Sequence, residues 1–284
     1  MHTQKLIALF PEASFGAALN CIGIAQSLRE LGAKPVFICH EHFRGLFAEY
    51  GFDEYPIPQA SPLSAAEHQH YWERFIERNI PYCDQTPLAQ IDSYVAPAWD
   101  AIIDTAIEAE KPLQQLLSRL KPDVIVLDNV VMFPAIANAG CPWVRMVSCA
   151  ETELPDAAVP PYLSGCLASD VEGRERFTEH YLKAVAPAHE RFSQFLASNG
   201  TPPCPPGQFL VDSPWLNLLL SPTPVRYERQ QPLDPQRYVY LDGCVRREAP
   251  YIVPDFPRHN EAPLIYISFG SLGAADTEMM KRLI

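Results

Sequence analysis

Residues 5–10 (Lys-Leu-Ile-Ala-Leu-Phe) and 35–39 (Pro-Val-Phe-Ile-Cys) are short apolar runs, and between them Ile22, Ala25, Leu28 and Leu31 recur at helical spacing until Gly32. A run that is apolar at nearly every position and too short for a helix reads as a strand buried on both faces. The recurrence every three to four residues reads as an amphipathic helix. Asn20 is the expected N-cap of that helix and Gly32 its stop. Phe43–Tyr50, closed by Gly51, follows as a short helix, and Glu54–Ile57 as a third strand. Strand, helix, strand, helix, strand in this order implies a parallel sheet with right-handed crossovers.

The pattern continues outward from there. Residues 63–79 and 98–119 are expected to be helical, the second with a wide apolar face that includes Ile103, Ala106, Leu113 and Leu117. Val124–Leu127 is an expected strand, Val131–Ala139 a helix and Trp143–Val147 another strand. Phe177–Ser198 reads as a long helix that Pro187 should kink or break. Trp215–Leu220 and Tyr238–Leu241 read as short strands. The 29 prolines are about twice the usual ~5% share, with clusters at 202–206 and 250–263. The second cluster is stiff and extended, as an interdomain linker is. Beyond it, residues 263–271 (Pro-Leu-Ile-Tyr-Ile-Ser-Phe-Gly-Ser) read as a buried strand entering a glycine turn, with a helix starting before Met280. The expected organisation is therefore an α/β domain over 1–249, a linker over 250–262, and over 263–284 the first strand–helix unit of a second, truncated domain.

Composition narrows the function classes. A formal charge of -12 argues against nucleic acid, which is gripped by clustered Lys and Arg, and against docking on an anionic membrane surface. A neutral or cationic small molecule is the easier partner. The eight cysteines show no Cys-x-x-Cys spacing and several sit in apolar runs, as buried thiols of a reducing compartment do. The apolar run at the N-terminus is too short for a secretory leader, and no run approaches the ~18 apolar residues of a membrane span. A cytoplasmic location is expected.

Known motifs exclude more than they assign. No Gly-x-Gly-x-x-Gly follows the first strand, so a dinucleotide fingerprint is missing, and there is no Gly-Lys-Ser/Thr or Gly-x-Ser-x-Gly. His40-Glu-His42 and His68-Gln-His70 have a pair spacing found in metal hydrolases but lack the further ligands such a centre needs, so no metal is expected. In open parallel sheets ligands sit beyond the carboxyl ends of the strands. Glu12, His40, Asp128, and Ser148 with Glu151 stand at such ends. Asp128 is the sharpest candidate, because it directly follows a buried strand; the alternative role is capping of the next helix. Phe15, Trp72, Phe133 and Trp215 are aromatic candidates for a pocket or for core. In Ser268-Phe-Gly270-Ser271 the glycine would let backbone approach a ligand.

Three stretches together resemble the GT-B glycosyltransferases that use nucleotide sugars, in particular the bacterial macrolide and UDP-glucuronosyl transferase-like group. They are Gly16…Asn20-Cys-Ile-Gly-Ile-Ala-Gln-Ser-Leu28-Arg-Glu-Leu-Gly32, Lys121-Pro-Asp-Val-Ile-Val-Leu-Asp128 and Leu264-Ile-Tyr-Ile-Ser-Phe-Gly-Ser271. The resemblance covers nearly the whole chain. It implies a Rossmann-like acceptor domain facing a nucleotide-sugar domain, and inverting transfer of a sugar from a UDP-sugar co-substrate, without another cofactor, to a hydroxyl of a small hydrophobic or phenolic acceptor. It assigns Asp128 as the aspartate that orients a histidine base. It matches the turn at Gly270 and Ser271 to the one beside the donor diphosphate, with Ser268 as a further donor-side candidate; Phe15, Gly16, Ala17, Trp72, Phe133, Ser148 and Glu151 are the candidates for the acceptor side. Two departures stand out. The family's base histidine would fall at Ala17, so Asp128, Glu12 or His40 must substitute or the base is missing. The family's main donor-binding segment would lie beyond Ile284. The alternatives are a small-molecule-binding module without turnover and, ranked last, a hydrolase or lactonase.

Overall fold

Strand β1 (Leu6–Pro11) is the middle of a parallel sheet whose order is β3-β2-β1-β4-β5-β6-β7. The other strands are β2 (Lys34–His40), β3 (Asp53–Ile57), β4 (Val124–Asp128), β5 (Trp143–Val147), β6 (Leu216–Leu219) and β7 (Tyr238–Tyr240). The computed structural model describes residues 4–58, 74, 77–82, 84–242, 244–254, 263–270 and 277–283. They fall into two units, Met1–Pro62 with Thr86–Arg246, and Leu63–Gln85 with Arg247–Ile284. The whole sheet belongs to the first.

All strand pairs are parallel, and β1 pairs with both β2 and β4. Chain order reverses direction across the sheet at β1/β4, which opens a crevice at the carboxyl ends of these strands. Side chains alternate across the sheet at the strand period of two. Ala8 and Phe10 of β1, Val36 and Ile38 of β2, and Ile125 and Leu127 of β4 face one core; Leu9, Phe37, Cys39 and Val126 face the other. Helix α1 (Phe15–Glu30) covers the second core. Helices α2 (Ala96–Leu120), α3 (Pro134–Ala137) and α4 (Val171–Ser198) cover the first. Fully buried side chains such as Phe10, Phe37 and Phe192 each contribute roughly 1.5–3 kcal/mol to this packing.

The expected α/β class and strand positions hold, and four local expectations in the first unit do not; in place of the Phe43–Tyr50 helix stand two 3₁₀ turns, Glu41–Phe43 and Ala48–Tyr50. Helix α1 starts six residues early: its N-cap is Ser14, whose Oγ accepts from the Ala17 amide at 3.4 Å, and Asn20 lies inside the helix. The expected Val131–Ala139 helix shortens to Pro134–Ala137, because Asn129 Oδ1 accepts from the amides of Val130 and Val131 and holds the chain in a turn first. Helix α4 begins at Val171, capped by Asp170, and runs through Pro187 unbroken. Pro187 and Lys183 are exposed, so the carbonyl that Pro187 leaves without a donor faces water.

In the second unit residues 77–82 are helical, as expected; most of the 63–79 stretch lies outside the described residues. Residues 263–269 carry no strand, in contrast to the expected buried one, and Leu264, Ile265 and Tyr266 are exposed. A strand needs a neighbour to accept its ladder, and no strand is present in the described part of this unit. A helix, α5 (Thr277–Leu283), follows as expected. No helix among the described residues is long and apolar enough to cross a membrane.

Candidate active site

The carboxyl ends of β1, β4 and β5 bring acidic side chains together. The Glu12 amide donates to the Asp128 carbonyl at 2.6 Å, which laces the ends of β1 and β4. Asp128 is buried; its Oδ1 accepts from Ser148 Oγ at 2.8 Å and its Oδ2 faces the Cys21 thiol at 3.9 Å. Burial pushes the Asp128 carboxyl well above the usual range. Ser148 and Cys21 oppose that push, while the nearby charges of Glu153 and Glu12 add to it. Glu12 is raised by burial and then by Glu153. Glu153 is raised by burial and held down by Arg145. The result is a cluster of poorly solvated carboxyl groups in which Glu153 and Glu12 oppose ionisation of Asp128, and Glu153 opposes that of Glu12.

Arg145, on β5, anchors this cluster from below. It is 4% exposed, and its guanidinium donates to Asp212 at 2.7 Å and to Glu153 at 3.2 Å. Sequence reasoning passed over both Arg145 and Glu153. The available signal was a cation inside an otherwise apolar strand, Trp143-Val-Arg-Met-Val147, since such a charge must find a buried partner.

The remaining candidates are placed as follows. Ser148 joins Asp128 directly. Glu151 is buried, accepts from the Tyr240 hydroxyl at 2.8 Å and from Arg229 Nε at 3.3 Å, and braces β7 against the turn after β5. His40 ends β2, two strands from Asp128, with its ring 5.6 Å from that of Phe10; burial and the neighbouring His42 push it down to about 4. Phe133 is core, edge-on to Phe10 at 5.1 Å. Phe15 is exposed and edge-on to Phe43 at 5.2 Å, and Gly16 beside it opens to free space. Ala17 is buried in the first turn of α1, one turn before Cys21 and on the same helix face. In the second unit Ser268 and Gly270 are exposed; the Gly270 amide donates to Ser268 Oγ at 3.5 Å, with a φ of 69° that suits glycine. Trp72, Ser271, His68 and His70 lie outside the described residues. No group of side chains suited to a metal ion occurs among the described residues.

Next to the carboxylates lies a cavity of about 820 Å³. Its walls come from the segment after β5, from α4 and from residues 206–210, with Trp99 and Phe209 stacked at 4.1 Å inside it. Glu153 and Arg145 belong to its lining, so cavity and carboxylate cluster share one wall. Gly207 makes this close packing possible: a Cβ there would come within 2.5 Å of Leu182 Cδ2, and its φ of 72° is one that other residues rarely adopt. The sequence signal for this cavity is faint, since Pro155, Pro160, Pro161 and Pro206 read only as loop residues until the fold brings them together.

No known family profile matches the sequence, and no curated protein is similar to it. Solved structures do share the fold. The glycotransferase of kitacinnamycin aligns with a TM-score of 0.54 at 20% identity, covering 91% of this chain and 56% of its own. The spinosyn forosaminyltransferase SpnP aligns with a TM-score of 0.50 at 17% identity, covering 100% of this chain and 63% of its own. The fold is thus that of the GT-B glycosyltransferases, and the chain spans less than two thirds of the length of these neighbours.

Proposed function

We propose that this chain is the acceptor-binding part of a glycosyltransferase that moves a sugar from a UDP-sugar to a hydroxyl of a small hydrophobic or phenolic acceptor. The observation that carries this reading is the wall shared by the apolar cavity and the carboxylate cluster through Glu153. A ligand in the cavity would have its polar end near groups able to take a proton. In the proposed reaction the acceptor oxygen attacks the anomeric carbon, the bond from that carbon to the UDP oxygen breaks with inversion, and the hydroxyl proton passes to a carboxylate. An ordinary carboxylate is a weak base at neutral pH; one raised by burial and by acidic neighbours is better matched to the task. Glu12, the more exposed of the pair, is assigned as base and Asp128 as the group that positions it, which offers a replacement for the histidine that Ala17 displaces. The UDP-sugar is the co-substrate, bound through the segment that holds Ser268, Gly270 and Ser271, with no further cofactor, and the site of action is the cytoplasm.

A second reading, a binding module without turnover, is favoured by one observation: every residue of the cavity lies in the first unit. The two separate in one experiment. The chain is mixed with UDP-glucose and a panel of phenolic and polyketide acceptors; acceptor binding is followed by tryptophan fluorescence, for which Trp99 is a reporter, and products by mass spectrometry. A hexose adduct establishes transfer. Binding without an adduct supports the module, and no binding overturns both. Where transfer is seen, Asp128→Asn should lower turnover by ~10²-fold or more while acceptor affinity stays within a factor of a few. Unchanged turnover would remove Asp128 from the chemistry.

A further inference from the structure

The charge on the cavity lining is unevenly distributed, and this narrows what the cavity can hold. Both arginines of the wall are already committed. Arg145 is forked between Asp212 and Glu153. Arg174 donates to the carbonyls of Ala157, Val159 and Ala168 at 2.5, 3.0 and 2.9 Å, which pins the loop over the cavity to α4. Each keeps one Nε–H without a partner, and that atom is buried away from solvent.

The acids differ from one another. Glu153 is paired and resists ionisation. Asp156 is held ionised by the amides of Gln230, Ala158 and Gln231. Glu175 and Glu179 line the cavity from α4, one helical turn apart, on the stripe that also brings Thr178 and Leu182 towards it. Both are exposed, and neither forms a hydrogen bond or ion pair among the described residues, Lys183 one turn further on included. Like charges at this spacing repel, so the pair is held at a small cost that a bound cation would remove.

We infer that the cavity is built for an apolar molecule carrying an ammonium group, with the body against Trp99, Phe209 and the prolines and the cation at the mouth between Glu175 and Glu179. This rests on the cavity being the acceptor site, and it adds the charge class of the acceptor. It also predicts which molecules are refused: an otherwise equal carboxylate meets Asp156, Glu175 and Glu179, against which stands only Arg174, an arginine of the wall whose hydrogen bonds go to backbone carbonyls.

The test uses a fluorescent series with one apolar body, 4-(1-pyrenyl)butylamine, 4-(1-pyrenyl)butanol and 4-(1-pyrenyl)butanoate, titrated into the chain at pH 7 and low salt. The expected order of affinity is amine, alcohol, carboxylate. The amine should lead the alcohol by roughly three- to tenfold, the range for two partly solvated ion pairs. The double variant Glu175→Gln/Glu179→Gln should bring amine and alcohol within a factor of two while leaving the alcohol's affinity in place, and 0.5 M salt should do the same to the unaltered chain. An amine no tighter than the alcohol, or a preference that survives in the double variant, overturns the inference but not the acceptor site. Failure of all three probes to bind removes the acceptor site itself.

Discussion

The acids at the strand ends and the acids on α4 answer opposite physical problems. Asp128 and Glu153 are buried, already hydrogen-bonded and resistant to ionisation. Glu175 and Glu179 are exposed and have no partner among the described residues. In the first group burial opposes the charged form, and the charges of Glu153 and Glu12 add to that push on Asp128. The second group faces solvent on α4, where it lines the cavity. Burial alone separates the two sets: the same carboxylate chemistry is closed in at the strand ends and open to water on α4.

The sharpest way to break this comparison is to remove the cation that makes the buried half tolerable. Arg145→Met leaves Glu153 and Asp212 without their guanidinium in a site where Glu153 is almost fully buried. Breaking a buried pair from one side costs about 3–5 kcal/mol. Urea denaturation at pH 7 should show a loss of that size, larger than for any substitution on the α4 rim. A loss below ~1 kcal/mol would mean the cluster is open to water, and the distinction between the two sets of acids would fall.

A smaller effect comes from a carboxyl that is buried away from either region. Glu110, on α2, is 8% exposed, and burial pushes it up to about 7, with an opposing hydrogen bond from the Ala135 amide. Its folded value lies above the unfolded one near 4.5, so its contribution is fully present below pH 4.5 and is lost as pH rises to about 7. Glu110→Gln should therefore lack that decline and be the more stable form above pH 7, by on the order of 2 kcal/mol. Parallel pH–stability curves for the two proteins would show that the side chain finds water and that burial does not govern acids in this fold.

Much of the architecture was legible because strand and helix periods are local properties of the chain. The runs 5–10, 35–39, 124–127 and 143–147 each occur within a residue or two of their expected bounds, and Asp128 lies at the strand end the pattern assigns to it. Helix starts were less legible, since Ser14 and Asn20 are chemically equivalent caps and only packing against the sheet chooses between them. The site was legible one residue at a time but not as a constellation. Ser148 joins Asp128 and Cys21 lies beneath it, whereas His40 is two strands away and Phe133 is core. Arg145, Glu153 and the cavity were missed because they depend on contacts between segments far apart in sequence, as Arg145 with Asp212 shows. For 263–269 the pattern alone misled: an apolar alternation describes a strand only where a neighbour supplies the ladder.

The smallest expected effect sharpens the exposed side of the comparison. Glu175 and Glu179 repel across one turn of α4, and neither is offset by a basic partner among the described residues. Replacing Glu175 by Gln removes the repulsion and leaves the helix length, cap and core face as they are. The unliganded chain should gain roughly 0.2–0.5 kcal/mol, the usual worth of such a pair in a helix. High salt screens the same repulsion, so the gain should disappear at 0.5 M salt, where exposed charges more than ~5 Å apart interact little. Thermal melts of both proteins at two salt concentrations give the comparison directly. A loss of stability at low salt instead of a gain would show that Glu175 makes a favourable contact in the folded chain, and the rim would then belong with the satisfied acids of the strand ends.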